Sequence, residues 1–315
     1  MNDVSRMQRA YAMIRERELP TSFPATFQLP GVVDVHLHVG RGLTDPLDLG
    51  RRATDAGMRA IVFKTPSPTL DLALTVNEAL RLLYAGSDKT PVECVGGVVL
   101  ESPGAPQVAI ARRWLAKGAK VVWFATGSSA NHRERATGLS RDEARATGQY
   151  VLNGGTLIPE AVEVIEAVVE FGGALSFGHL SREEMFALAA EAEKRSLTSA
   201  FVDHPLNPVM GLSIDDCLRI ADHGVYLNFT AAELSPMFGV DPADVGRAIR
   251  AIGVERVIVS SDAGHPSMGD AAESMRMWQT VLLWQGFSGA EIAEMMVERP
   301  TRMLGLAEIA HPPGG

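Results

Sequence analysis

The stretch VVDVHLHVG, residues 32–40, decides the fold. It reads as a short buried strand, Val32 to Val35, that ends by presenting His36 and His38. Residues two apart on a strand share a face, so both imidazoles leave the strand's C-terminal end in one direction. Two neutral imidazoles aimed at one point make half of a metal site. Whether the pair carries chemistry depends on partners supplied elsewhere in the chain.

Downstream of this strand a regular alternation sets in. Asp45-Pro46 has the form of an N-cap with proline at the first helical position, and the helix runs to about Ala56, where Gly57 closes it. Apolar strands are predicted at 59–64, 92–100, 120–126, 173–178, 197–203, 225–230 and 256–262. Helices are predicted from about Leu70, Val108, Ser181, Ser213, Asp241, Asp270 and Ser288, with Ser181/Glu184 forming a capping box. Short apolar strands alternating with helices imply a parallel sheet. Eight such units in roughly 280 residues fit a closed (β/α)8 TIM barrel. An open doubly wound sheet would call for a glycine-rich phosphate loop after the first strand, and GVVDVHLHVGRG is not one. Residues 127–157 are polar, glycine-rich and charged, and read as a long insertion after strand four lying over the barrel mouth. Residues 3–18 read as an amphipathic helix that either caps a barrel end or makes a subunit contact, which leaves room for a homo-oligomer. No internal repeat or linker divides the chain, so residues 1–315 are expected to form a single domain.

Composition narrows the class of function. With 315 residues, 46% of them hydrophobic, the chain can bury a large core. A formal net charge of −9 implies no basic surface for nucleic acid. The two cysteines, Cys94 and Cys217, make no disulfide framework and fit a reduced compartment. The N-terminus lacks an apolar signal core, and no segment has the roughly 18 apolar residues of a membrane span. A cytoplasmic protein acting on a small molecule is the expectation.

In a (β/α)8 barrel the chemistry sits at the C-terminal ends of the strands. His36 and His38 end strand one, and His179 (in GHL) ends strand five. Asp203 and His204 (in DHP) end strand six, and Asp262 (in SSDAG) ends strand eight. Four histidines and an aspartate at one rim are donors suited to zinc, manganese, iron or nickel. Lys64 ends strand two. His132 lies in the insertion among Ser128, Ser129 and Asn131, where it can contact substrate or metal. Arg41 is a candidate partner for a substrate carboxylate, and Glu101 ends strand three facing the mouth or capping a helix. Asp203 is expected to hydrogen-bond its surroundings. Of Trp123 and Phe124, one should face the barrel interior and one the helices. His223 reads as a helix-end residue at the far rim, and His265 as a loop residue without a forced direction. The Met275, Met277, Trp278 and Trp284 group reads as core or subunit contact.

The order His-x-His, His, His, Asp at strands one, five, six and eight, carried by DVHLHVG, FGHLSREE, VDHP and SSDAG, resembles the amidohydrolase superfamily of metal-dependent hydrolases. The likeness spans about residues 31–306 and is to a form without the flanking β-sandwich. It implies that His36, His38 and His179 bind a divalent metal, most often zinc, as one or two ions. His204 would bind a second ion or orient substrate. Asp262 would bind metal and take a proton from metal-activated water. The implied reaction is hydrolysis of a C–N or C–O bond in an amide, cyclic amide or imide, lactone or imine. One departure is plain: binuclear relatives often carry a carboxylated lysine at the end of strand four, and here that region reads Val122, Trp123, Phe124. Lys64 could substitute, by adding carbon dioxide and bridging, or stay cationic and hold an oxyanion. Metal-dependent decarboxylation on the same site is the alternative, and a barrel retained only for binding is a third reading.

Overall fold

The structure is a computed structural model that describes residues 29–40, 45–264 and 269–307. The amphipathic segment 3–18, Arg41 and His265 lie outside the described residues. Among the described residues, eight parallel strands form one sheet: β1 (Val33–His38), β2 (Ala60–Lys64), β3 (Glu93–Val99), β4 (Val121–Trp123), β7 (Ala174–Ser176), β8 (Ala200–Asp203), β9 (Tyr226–Thr230) and β10 (Val257–Ser260). Neighbouring strands pair in chain order, with helices in the crossovers. A parallel bridge between Leu37 and Ala263 brings the last strand back to the first. Two backbone bonds seal this seam: the His38 amide donates to Ala263 O at 2.8 Å, and the Asp262 amide donates to His36 O at 2.8 Å. The expected (β/α)8 barrel is the fold found.

Two apolar layers hold it together. The inner layer takes a residue from every barrel strand, among them Val33, Val62, Val121, Trp123, Phe201 and Ile258. Met303 and Leu304, at the end of the short helix Arg299–Met303, join this layer and plug the barrel. The outer layer, between sheet and helices, holds Phe63, Phe124, Phe177 and Trp278. Trp123 therefore points in and Phe124 out. Gly97 on β3 makes room for the indole, since a Cβ there would lie 2.4 Å from Trp123 Cζ3.

The first strand is irregular where it matters. From Asp34 to Leu37, β1 advances three residues while β2 advances only two, from Ile61 to Phe63. This one extra residue is a β-bulge, which resets the alternation of faces. Val33 and Val35 lie in the inner layer and Leu37 in the outer one. The reset lets the valines and, after it, both histidines face the barrel axis.

The insertion is built of short ordered elements. It carries helices Ala130–Thr137 and Arg141–Thr147, then a small antiparallel pair, β5 (Leu152–Asn153) and β6 (Thr156–Leu157). Helix Pro159–Phe171 follows and completes the crossover, ending at Gly172 in the left-handed region.

Cys94 and Cys217 are both free and buried. Burial pushes the Cys94 thiol up to about 12, and the Cys217 thiol is raised by the same cause. Since the thiolate is the reactive form, a thiol reagent at neutral pH should label neither residue in the folded protein and both in denaturant. Rapid labelling of the native protein would contradict this packing.

Candidate metal centre

His36 and His38 reach the mouth from β1, and their Nε2 atoms lie 3.3 Å apart. Asp262, just beyond β10, places Oδ1 3.1 Å from each of them. The triangle has a chemical meaning. Zinc–nitrogen bonds of about 2.0–2.1 Å set ligand–ligand edges of roughly 3.0 Å in an octahedron and 3.3–3.4 Å in a tetrahedron. The observed edges fall within that range. Among the described residues these three side chains form the one group of three or more able to hold a metal ion.

His179 and His204 make a second pair, with Nε2 atoms 3.2 Å apart. The rings of His36 and His204 have centroids 5.8 Å apart, so pair and triad adjoin. The five donors therefore fall into two neighbouring groups rather than one cluster. His204 Nδ1 is buried and has no hydrogen-bond partner among the described residues.

A polar network sets the tautomer of His36. Its Nδ1 lies 3.0 Å from Asp203 Oδ1. A carboxylate only accepts, so Nδ1 carries the proton and Nε2 presents a lone pair to the triad. Asp203 also accepts from Asn228 Nδ2 at 2.7 Å, Ser176 Oγ at 2.6 Å and Trp123 Nε1 at 3.2 Å. Burial opposes its ionisation, but His36, Lys64 and His204 together outweigh burial and hold the carboxyl well below the usual range. Asp262 behaves alike: burial raises it, and His36, His38 and His204 together more than offset that. Burial lowers His38 and His179, and lowers His204 to about 4. Neutral imidazoles facing an ionised carboxylate suit a cation.

Backbone conformation marks the same positions. Among the described residues, the non-glycine residues with positive φ are Ser196, His204 (35°) and Asp262 (50°). Such conformations cost of order 1–3 kcal/mol each and cluster at functional sites. Buried carboxyls tie down the backbone beside His204 and Asp262. Glu233 accepts from the Leu206 and Thr230 amides, both at 2.8 Å, and burial pushes it up to about 8. Asp34 accepts from the Ser261 amide at 3.0 Å, the His36 amide at 3.2 Å and the Ser261 hydroxyl.

The remaining candidates are placed as follows. Lys64 is buried at the end of β2, with Nζ 2.9 Å from His36 Nε2. His132 Nδ1 lies 2.7 Å from His179 Nδ1. Glu101, just after β3, accepts from the amides and hydroxyls of Thr126 and Ser128, tying down the start of the insertion. His223 ends helix Ile214–Asp222 and pairs with Glu193 at 2.7 Å.

A family model described as a family of unknown function, DUF6282, matches residues 31–228. The chain belongs to the DUF6282 family. The matched span covers His36, His38, Lys64, His179, Asp203 and His204, while Asp262 lies beyond it. No curated protein matches this DUF6282 sequence. Solved structures are similar to it. One is an amidohydrolase from Pseudomonas aeruginosa, at TM-score 0.54 and 14% identity, covering 87% of this chain and 95% of that one. A putative 2-pyrone-4,6-dicarboxylic acid hydrolase from Pseudomonas putida aligns at TM-score 0.51 and 15% identity, over 87% and 97% of the two chains. N-acetyl-D-glucosamine-6-phosphate deacetylase from Mycobacterium smegmatis aligns at 0.52 and 18%, over 88% and 76%. At these identities the likeness is one of fold. The fold expected from the resemblance to the amidohydrolase superfamily is the fold this DUF6282 protein has.

Proposed function

We propose that this protein is a metal-dependent hydrolase that cleaves a C–N or C–O bond next to a carbonyl or imine carbon of a small molecule. The observation that carries the reading is the triangle of His36 Nε2, His38 Nε2 and Asp262 Oδ1, with edges of 3.1–3.3 Å. His36, His38 and Asp262 would hold one divalent cation, with zinc the best match to two imidazoles and a carboxylate. His179 and His204 would complete its sphere or hold a second. When bound, such a cation polarises a carbonyl and lowers the pKa of a water towards 7.

The chain's own groups do the rest. Substrate approaches from the His38–Asp262 side, since those side chains are 26% and 12% exposed while His36 is fully covered. Asp262 accepts the proton of the attacking water and returns it to the leaving nitrogen or oxygen. Asp203 keeps the proton of His36 on Nδ1 throughout. With the His36 Nε2 lone pair committed to coordination, the Lys64 ammonium offers its N–H groups to the oxygen that gains negative charge. Solved proteins of the same fold named as a hydrolase and a deacetylase support this class of reaction. No lysine follows β4, which ends at Trp123; barrels of the resembled superfamily that lack it include decarboxylases, so metal-dependent decarboxylation on the same centre is the second reading.

The test is metal content and turnover together. Purified protein should carry a transition metal. Chelation should abolish hydrolysis across a panel of amides, imides and lactones, and added zinc or manganese should restore it. Carbon dioxide release without hydrolysis would select the decarboxylase reading. A metal-replete protein that turns over nothing on either panel would leave only a binding role.

A further inference from the structure

We infer that His132, on the insertion, is a positioning residue for His179: it accepts the His179 Nδ1 proton and so keeps the His179 Nε2 lone pair turned toward His204. The inference rests on the metal reading above and adds to it a link between the insertion and the ligands.

The two Nδ1 atoms are 2.7 Å apart, and the rings lie edge to edge, their centroids 4.9 Å apart and their planes tilted by only 18°. Two ligands of one ion sit roughly 3.0 Å or more apart, so this contact is a hydrogen bond and not a shared coordination edge. A neutral imidazole has one N–H and one lone pair. Of the two facing Nδ1 atoms, one donates and the other accepts. His179 Nε2, 3.2 Å from His204 Nε2, is a ligand only if His179 carries its proton on Nδ1. His132 must then accept at Nδ1 and hold its own proton on Nε2.

The helix that carries His132 is built onto this spot. Ser129 caps the helix, accepting from the His132 amide at 3.0 Å, and donates its hydroxyl to His179 O at 2.7 Å. Asn131 Nδ2 donates to His179 O and to Val209 O, both at 3.1 Å, which joins the loop after β7 to the loop after β8. Helix Ala130–Thr137 has no fully buried residue, so apolar packing does not account for its place. Its first turn is held by polar contacts to the residues that carry the ligand pair.

The experiment compares wild type, His132→Phe and His132→Asn as full-length protein. Phenylalanine keeps a flat aromatic ring without an acceptor, and asparagine offers Oδ1 near the position of Nδ1. Cobalt(II) binding is followed by visible absorption and by competition with a chelator. H132F is expected to bind cobalt roughly 10–100-fold more weakly, with H132N within a few-fold of wild type. Long-range proton–nitrogen NMR of wild type is expected to show His179 as the Nδ1–H tautomer and His132 as the Nε2–H tautomer. Equal affinity in H132F and wild type, equal weakening of both variants, or the reverse tautomer pair would overturn the inference. Failure of wild type to bind any cation would overturn the metal reading itself, a separate result.

Discussion

Asp262→Asn is expected to strip the protein of its cation and to lower kcat/KM by ~10³-fold or more. The substitution changes one oxygen to an amide nitrogen and removes the negative charge that both His36 Nε2 and His38 Nε2 face at 3.1 Å. It removes the proton acceptor at the same stroke. The fold should not suffer. Asp262 sits at φ 50°, and asparagine is among the residues that tolerate this region best. The backbone should therefore keep its conformation, while the melting temperature of the metal-free variant should fall modestly below that of metal-free wild type, because the contacts of the ionised carboxylate with His36 and His38 are lost. Metal analysis, turnover and calorimetry on the same preparations check all three statements. A D262N protein that keeps a full complement of cation would remove Asp262 from the ligand set.

Asp203→Ala should be the most damaging single change to stability near the site. It takes the acceptor away from four buried donors: His36 Nδ1, Asn228 Nδ2, Ser176 Oγ and Trp123 Nε1. Leaving buried donors around a lost carboxylate costs about 3–5 kcal/mol, which in a chain of this size lowers the melting temperature by about 5–8 °C. The same change frees the His36 tautomer and should weaken cation binding by about 10–100-fold. Thermal melts and chelator competition separate the two effects. A melt within 2 °C of wild type, a margin of about 1 kcal/mol, would mean that the network around Asp203 contributes little.

Much of this architecture is legible in the sequence because the strands are apolar runs that end in polar residues. His36, His38, His179, His204 and Asp262 each follow such a run, and the closed barrel puts those ends on one rim. Three features escape that reading. The β-bulge in β1 is a relation between two strands, so DVHLH alone cannot reveal it. The insertion helices have almost no apolar face, so hydrophobic period is silent there, although Ser140 and Glu143 carry a capping-box signal. Glu101 lies at a strand end like the ligands, yet local hydroxyl and amide donors claim both its oxygens. Asn228 and Ser176, the partners of Asp203, could have been sought as polar residues inside buried strands, which demand a partner. The helix Pro159–Phe171 had its proline start and glycine stop in plain view.

The seam between β1 and β10 has a consequence for assembly. The two amide bonds across it belong to His38 and Asp262, and the carbonyl of His36 receives one of them. The cylinder is thus latched by the same residues that would grip the ion. A chain whose ends have not met has no triad, and a chain with a complete triad is already shut. Any cation that binds only the shut form must, by mass action, hold it shut. Occupancy of the centre and integrity of the cylinder are then two readings of one equilibrium.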